Sequence, residues 1–245
     1  MRANYKMQRL FTEMPLQAGQ MIDAPADAAH YLLNVMRMRD GDPILLFNGV
    51  DGEWLAHIAQ AGKKRLSLLP AELVRPQPAA PNLHYCFAPL KVGRMDYMIQ
   101  KAVEMGAGIL QPVITQHCQM PKLNGERMQA NAREAAEQCG ILSMPLYREP
   151  VRFDTFINEW DRSRALIFCD EAHDTNNPLP LLRTLKGQPA GVLIGPEGGF
   201  SDEERRILRQ QDFVTAIPLG PRILRADTAA VAAMALIQAT IGDWS

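Results

Sequence analysis

Several features are scarce or missing in this 245-residue chain, and each absence narrows what it can be. No run of about 18 apolar residues exists, so no segment reads as a membrane-spanning helix. Net charge is nearly absent: 26 Lys and Arg against 27 Asp and Glu leave −1, so bulk charge announces no polyanionic partner. Cysteine is sparse, and Cys86, Cys118, Cys139 and Cys169 form no C-x-x-C pair, which argues against a disulfide framework or a structural zinc site. No metal is expected. The chain opens without a signal-peptide pattern, so the expected setting is reducing and cytoplasmic. Two phosphate-binding signatures are also missing. Neither G-x-G-x-x-G nor G-x-x-x-x-G-K-[ST] occurs.

What is present falls into two parts. Residues 76–82, P-Q-P-A-A-P-N, form a stiff polar break and are read as a linker between residues 1–75 and residues 83–245. The first part has short, turn-bounded segments. "PILLFNG" and "GEWLAHIAQAG" flank Val50-Asp51 as a hairpin, "RLSLLPAEL" follows as a strand, and "ADAAHYLLNVMRM" has helical spacing. This predicts a small β-rich domain with one helix. The second part alternates strand and helix patterns from "LHYCFAPL" to "DTAAVAAMALIQATIG", which predicts a parallel sheet covered on both faces. Ligands in such sheets sit at the carboxyl ends of the strands.

Two strand-end turns stand out. "LIGPEGGFSDEE" (193–204) packs four Gly and Pro residues around Glu197, then offers Ser201 and Glu204 at capping-box spacing. A helix start capped by its own side chains is less available to an external anion, and Glu197 would repel a triphosphate. The glycines then suit close backbone approach by a neutral or zwitterionic ligand, or else a plain tight turn. "IPLGPRILRADTAA" repeats the arrangement, with Gly220-Pro221, then Arg222 and Arg225, then Asp227 or Thr228 as the expected cap of an alanine-rich helix. Two such turns in one sheet can wall one pocket, with the arginines at its mouth. Ahead of both in the sequence, Asp170-Glu171-Ala172-His173 matches an ATP-dependent helicase box. Without a P-loop it is read instead as a polar strand-end loop lining the same pocket.

"LIGPEGGFSDEE" and "PLGPRILRADTAA" resemble the signature segments of the small-subunit ribosomal RNA uridine-N3 methyltransferases, the RsmE family of the SPOUT class. "RLF", "HYLLNVMRMRDGD" and "LLFNG" are similar to its amino-terminal PUA-like barrel, and "IQKAVEMG", "LQPVIT" and "EAAEQCG" to the first half of its catalytic domain. The chain departs from the family at Ala226-Asp227, at Ile141 and at His117.

The resemblance implies an α/β fold, with a SPOUT-type parallel sheet and a carboxy-terminal trefoil knot behind the PUA-like barrel. It also implies a homodimer, S-adenosyl-L-methionine as cofactor, and methylation of ring nitrogen 3 of a uridine in 16S ribosomal RNA within the small subunit. Carried onto this sequence, Leu193, Gly195, Glu197, Gly198, Gly199, Leu219, Gly220, Ile223, Leu224 and Thr228 would surround the cofactor, chiefly through backbone. Arg225, with Arg222 as substitute, would stabilise the uracil anion. Apart from the resemblance, the first dozen residues carry Arg2, Lys6 and Arg9 with no acid, a basic arm whose Arg2 and Arg9, together with Arg37, would contact RNA phosphates. The residues taken alone leave open a different target base, or an RNA-binding module without catalysis.

Overall fold

The computed structural model describes residues 6–61, 65–118, 123–170 and 175–244, and Arg2 therefore lies outside the described residues. The chain divides into two compact units, one from residues 1–80 with 133–144, the other from 81–132 with 145–245. The linker at 76–82 predicts that all of 83–245 belongs to the second domain. Residues 133–144 pack instead with the first.

The first unit contains β1 (Arg9–Phe11), β2 (Ile22–Asp23), α1 (Ala26–His30), β3 (Pro43–Phe47), β4 (Glu53–Ala61) and β5 (Leu66–Arg75), in sheet order β1-β3-β4-β5-β2. β3 and β4 pair antiparallel as the expected hairpin. Asn48 shapes its turn by accepting the Val50 and Asp51 backbone N–H groups at 3.0 and 2.8 Å. Three register shifts between β4 and β5 bend the sheet around a core of Leu10, Ile22, Leu32, Ile44, Ile58 and Leu68. The helix is shorter than its apolar spacing predicts. α1 runs into a π-helical turn, Tyr31–Val35, and Arg37 then takes a left-handed conformation at φ 57°.

Arg9 does not serve the role expected of it. Its side chain is buried, with Nε donating to Glu53 at 2.6 Å and Nη1 to the Glu137 carbonyl at 3.1 Å. Arg75 donates to the other Glu53 oxygen at 2.6 Å and to the Gly140 carbonyl at 2.9 Å. Burial alone would raise the Glu53 pKa. The hydrogen bonds and charges of the two arginines outweigh it and hold the carboxyl below its ordinary value. An arginine consumed in this way cannot reach a phosphate. Arg37 is exposed and keeps that possibility.

The second unit contains β6 (Leu83–Phe87), α2 (Val92–Glu104), β7 (Ala107–Ile114), the start of α3 (Gly125–Cys139), β8 (Leu146–Tyr147), β9 (Val151–Arg152), α4 (Phe153–Asn158), β10 (Ala165–Cys169), α5 (Leu179–Arg183), β11 (Ala190–Ile194), α6 (Asp202–Arg209), β12 (Val214–Ile217) and α7 (Ala226–Thr240). The strand order is β12-β10-β11-β6-β7-β8, with every pair parallel. Strand side chains alternate between faces. Cys86, Leu166, Phe168 and Leu193 join Phe153, Phe156 and Leu208 of α4 and α6 in one cluster. Their neighbours Tyr85, Phe87, Ile167 and Val192 point the other way and are equally buried, so both faces are covered as predicted.

Candidate active site

The glycine-rich turn follows β11. Ser201 caps α6 by the expected capping box: its backbone N–H donates to Glu204 Oε2 at 2.8 Å, and its Oγ accepts the Glu204 N–H at 3.3 Å. Glu204 Oε1 also accepts the Gln116 backbone N–H at 2.7 Å, tying the end of β7 to this turn. Two of the glycines serve the protein's own packing. A Cβ on Gly195 would lie 2.8 Å from the Phe200 ring, and one on Gly198 would lie 3.1 Å from His117 Cβ. Gly199 is left-handed at φ 68°. His117 braces the turn from outside. Its Nδ1 lies 3.2 and 3.3 Å from the Gly198 and Gly199 carbonyls, which can only accept, so Nδ1 carries the proton.

The second turn follows β12. Gly220 is left-handed at φ 86°, and no atom lies within 4 Å of where its Cβ would be. α7 begins two to three residues earlier than expected. Arg225 is its N-cap, with extended backbone and no side-chain cap bond, while Asp227 and Thr228 lie inside the first turn. Asp227 Oδ1 accepts the Thr228 backbone N–H at 2.8 Å there. The alanine-rich face lets α7 pack closely, and Ala230 and Ala233 are wholly buried.

The two turns wall one cavity of about 500 Å³ at the carboxyl ends of β10, β11 and β12. Gly195, Glu197, Gly198 and Gly199 line it from the first turn. Leu219, Gly220, Arg222, Ile223, Leu224 and Arg225 line it from the second. Leu193 does not line it: its side chain is fully buried in the cluster under α4 and α6. Thr228, exposed on α7, is not part of the lining either. Arg225 lines it but is solvent-exposed rather than enclosed.

Asp170, the first residue of the helicase-like box, lines the cavity too, while Glu171, Ala172 and His173 lie outside the described residues. Its buried carboxylate accepts from Arg209 at 2.5 Å and pairs with Arg205, another lining residue, at 3.6 Å. Burial pushes the neighbouring Cys169 thiol up to about 12, which leaves it a poor nucleophile. Glu197 carries an ion pair that no spacing announced: Arg94 Nη1 of α2 donates to its Oε1 at 3.2 Å. Among the described residues no group of three or more His, Cys, Asp or Glu could hold a metal ion. None of the helices there is long and apolar enough to cross a membrane.

A cavity of this size, with apolar walls from Phe168, Ile194 and Leu219 and glycine backbone at its sides, fits an adenosyl ligand in kind. The RNA methyltransferase domain family matches residues 77–238, and the RNA methyltransferase PUA domain family matches residues 25–70. Fold and matches together define an RNA methyltransferase with a PUA domain.

Ribosomal RNA small subunit methyltransferase E of Rickettsia conorii is 29% identical over 95% of this chain and 96% of its own. The Bacillus subtilis protein of the same name is 29% identical over 94% and 96%. Among solved structures, the Neisseria gonorrhoeae methyltransferase E bound to S-adenosyl methionine aligns with a TM-score of 0.85 at 26% identity, covering 98% of this chain and 100% of its own. A Legionella pneumophila structure in complex with SAM aligns with a TM-score of 0.84 at 31% identity, covering 95% and 97%. The chain belongs to the RsmE family, the ribosomal RNA small subunit methyltransferases E.

Proposed function

We propose that this protein methylates ring nitrogen 3 of a uridine in 16S ribosomal RNA, using S-adenosylmethionine bound in the cavity between the two glycine turns. The observation that carries the reading is the convergence of both turns on one cavity, with the exposed Arg222 and Arg225 among its lining residues. The cofactor, when bound, supplies an electrophilic methyl group. The chain's part is placement and charge. Glycine backbone lets the ligand lie close, and the turns fix its direction toward the mouth.

Uracil N3 carries a proton at neutral pH and becomes a good nucleophile only as that proton leaves. A guanidinium at the mouth stabilises the developing anion, and Arg225 is the residue assigned to that role. The reacting edge is the pairing edge, so the target base must be unpaired or flipped out. The PUA-like unit, with exposed Arg37, grips the surrounding RNA, which is taken within the small subunit. The working form is a homodimer: Ile223, 87% exposed on a turn that walls the cavity, suits burial against a second copy. The knot and the cytoplasmic setting belong to the same reading, the two converging turns being the segments a knot would bring together.

Arg225→Ala tests the assignment. Single-turnover rates should fall roughly 100- to 1000-fold, about 3–4 kcal/mol, with cofactor affinity kept. Higher pH should partly rescue the variant by supplying deprotonated uracil, and Arg225→Lys should recover only part. Lower melting temperature, weaker cofactor binding and no pH rescue would instead mark Arg225 as structural. Mass spectrometry of 16S RNA from a deletion strain identifies the modified base.

A further inference from the structure

The cavity has an uneven charge balance. Among the described residues three arginines line it, Arg205, Arg222 and Arg225, against two carboxylates, Asp170 and Glu197. Asp170 is spoken for. Its side chain is 0% exposed and held by Arg205 and Arg209. Glu197 is different: its side chain is 35% exposed, and its hydrogen-bonding partner among the described residues, Arg94, is 40% exposed at 3.2 Å. An ion pair so open to water adds little to stability, so the fold gives no strong reason for it. Among the described lining residues, Glu197 is therefore the carboxylate that an entering cation can meet, in a wall otherwise rich in positive charge.

The proposed cofactor is such a cation, and its sulfonium centre has no N–H or O–H to be held by. A carboxylate meets it through charge, the strongest contact such a centre can make. Resting on the functional reading above, we propose that Glu197 senses the charge on the cofactor's sulfur, and that Arg94, by sharing the carboxylate, sets how strongly. On transfer the sulfur–methyl bond breaks and its electron pair stays on sulfur, which becomes a neutral thioether. The methyl carbon bonds to N3, whose proton has passed to solvent. The attraction to Glu197 is then lost, and what remains is a product the site holds less firmly. Glu197 thus favours the loaded cofactor over the spent one, and Arg94 is a positioning residue that acts through it.

Calorimetry with S-adenosylmethionine and S-adenosylhomocysteine on the full-length protein reads this directly. Glu197→Gln should weaken the methylated ligand by roughly fivefold, the weight of one partly screened charge contact, and leave the demethylated one unchanged. Arg94→Met should do the opposite, tightening the methylated ligand alone, because the carboxylate loses its competitor. In the unmodified protein, added salt should weaken the methylated ligand more than the demethylated one, an arm that no folding defect can obscure. Equal loss of both ligands in Glu197→Gln, or equal salt dependence, would overturn the proposal while leaving the cavity as the cofactor site. Failure of the unmodified protein to bind either ligand would overturn both.

Discussion

Glu204 and Gln116 are 88 residues apart, yet one carboxylate oxygen of the first accepts the backbone N–H of the second at 2.7 Å while its other oxygen closes the Ser201 capping box. The carboxylate is buried and satisfies amides from two loops at the carboxyl edge of the sheet. Glu204→Ala should cost about 2–3 kcal/mol, combining a lost cap with an unsatisfied amide. Glu204→Gln keeps one good acceptor and should cost about half as much by the same reasoning. Urea denaturation of both variants checks this. Equal costs would mean that the bridge to Gln116 contributes nothing.

The two arginines of the first unit separate cleanly. Arg9→Met should destabilise by about 2–4 kcal/mol, since a buried ion pair loses one partner while Arg75 still meets Glu53. The folded fraction should bind RNA with an unchanged salt slope. Arg37→Gly should do the reverse. Removing a left-handed non-glycine residue should stabilise by about 1 kcal/mol, while RNA binding should lose roughly one unit of salt slope. Thermal unfolding and RNA titrations at several salt concentrations distinguish the two.

The core of the second unit should be sensitive to mild acid. His84 of β6 lies edge-on to Trp160, ring centroids 5.9 Å apart. Burial, with Arg164 and Arg148 nearby, lowers its pKa to about 4, against a smaller opposing pull from Asp161. A depressed folded-state pKa means that the unfolded chain binds more protons between the two values. The contribution is therefore whole above about pH 6.5, declines as pH falls, and is gone below about 4. The loss should be on the order of 2 kcal/mol after allowance for partial solvent access. His84→Gln should flatten that part of the stability–pH curve, and an unchanged slope would assign the loss to another group.

Regular segments were legible in the sequence because they rest on local chemistry. The β3–β4 hairpin, the alternating strands and helices, and the Ser201–Glu204 box all follow from spacing of a few residues. The two glycine turns were legible as walls of one cavity because both follow strands of one parallel sheet. What was hidden depends on partners far along the chain. Arg9 reads as part of a basic arm until Glu53 is found 44 residues away. Arg94 meets Glu197 across 103 residues. Gly195 and Gly198 invite a ligand reading, yet Phe200 and His117 fill the space their missing side chains leave. Leu193 sits in the signature segment, but its side chain is fully buried in the core cluster and does not line the cavity. β8 and β9, at two residues each, are too short for any periodicity to mark.

The assignment of residues 133–144 to the first unit bears on how the chain is made. A nascent chain that has released residue 80 still lacks Glu137 and Gly140, whose oxygens accept from Arg9, Phe11 and Arg75. At that stage Arg9, Arg75 and Glu53 hold one another without the backbone carbonyls that complete their shell. The first unit therefore closes only after residues 81–144 have also emerged, by which time β6, α2 and β7 of the second are already available to fold. Domains that are contiguous in sequence fold in order of synthesis. Here the unit that begins first waits for a segment delivered from inside its successor, and the two are interlocked in time.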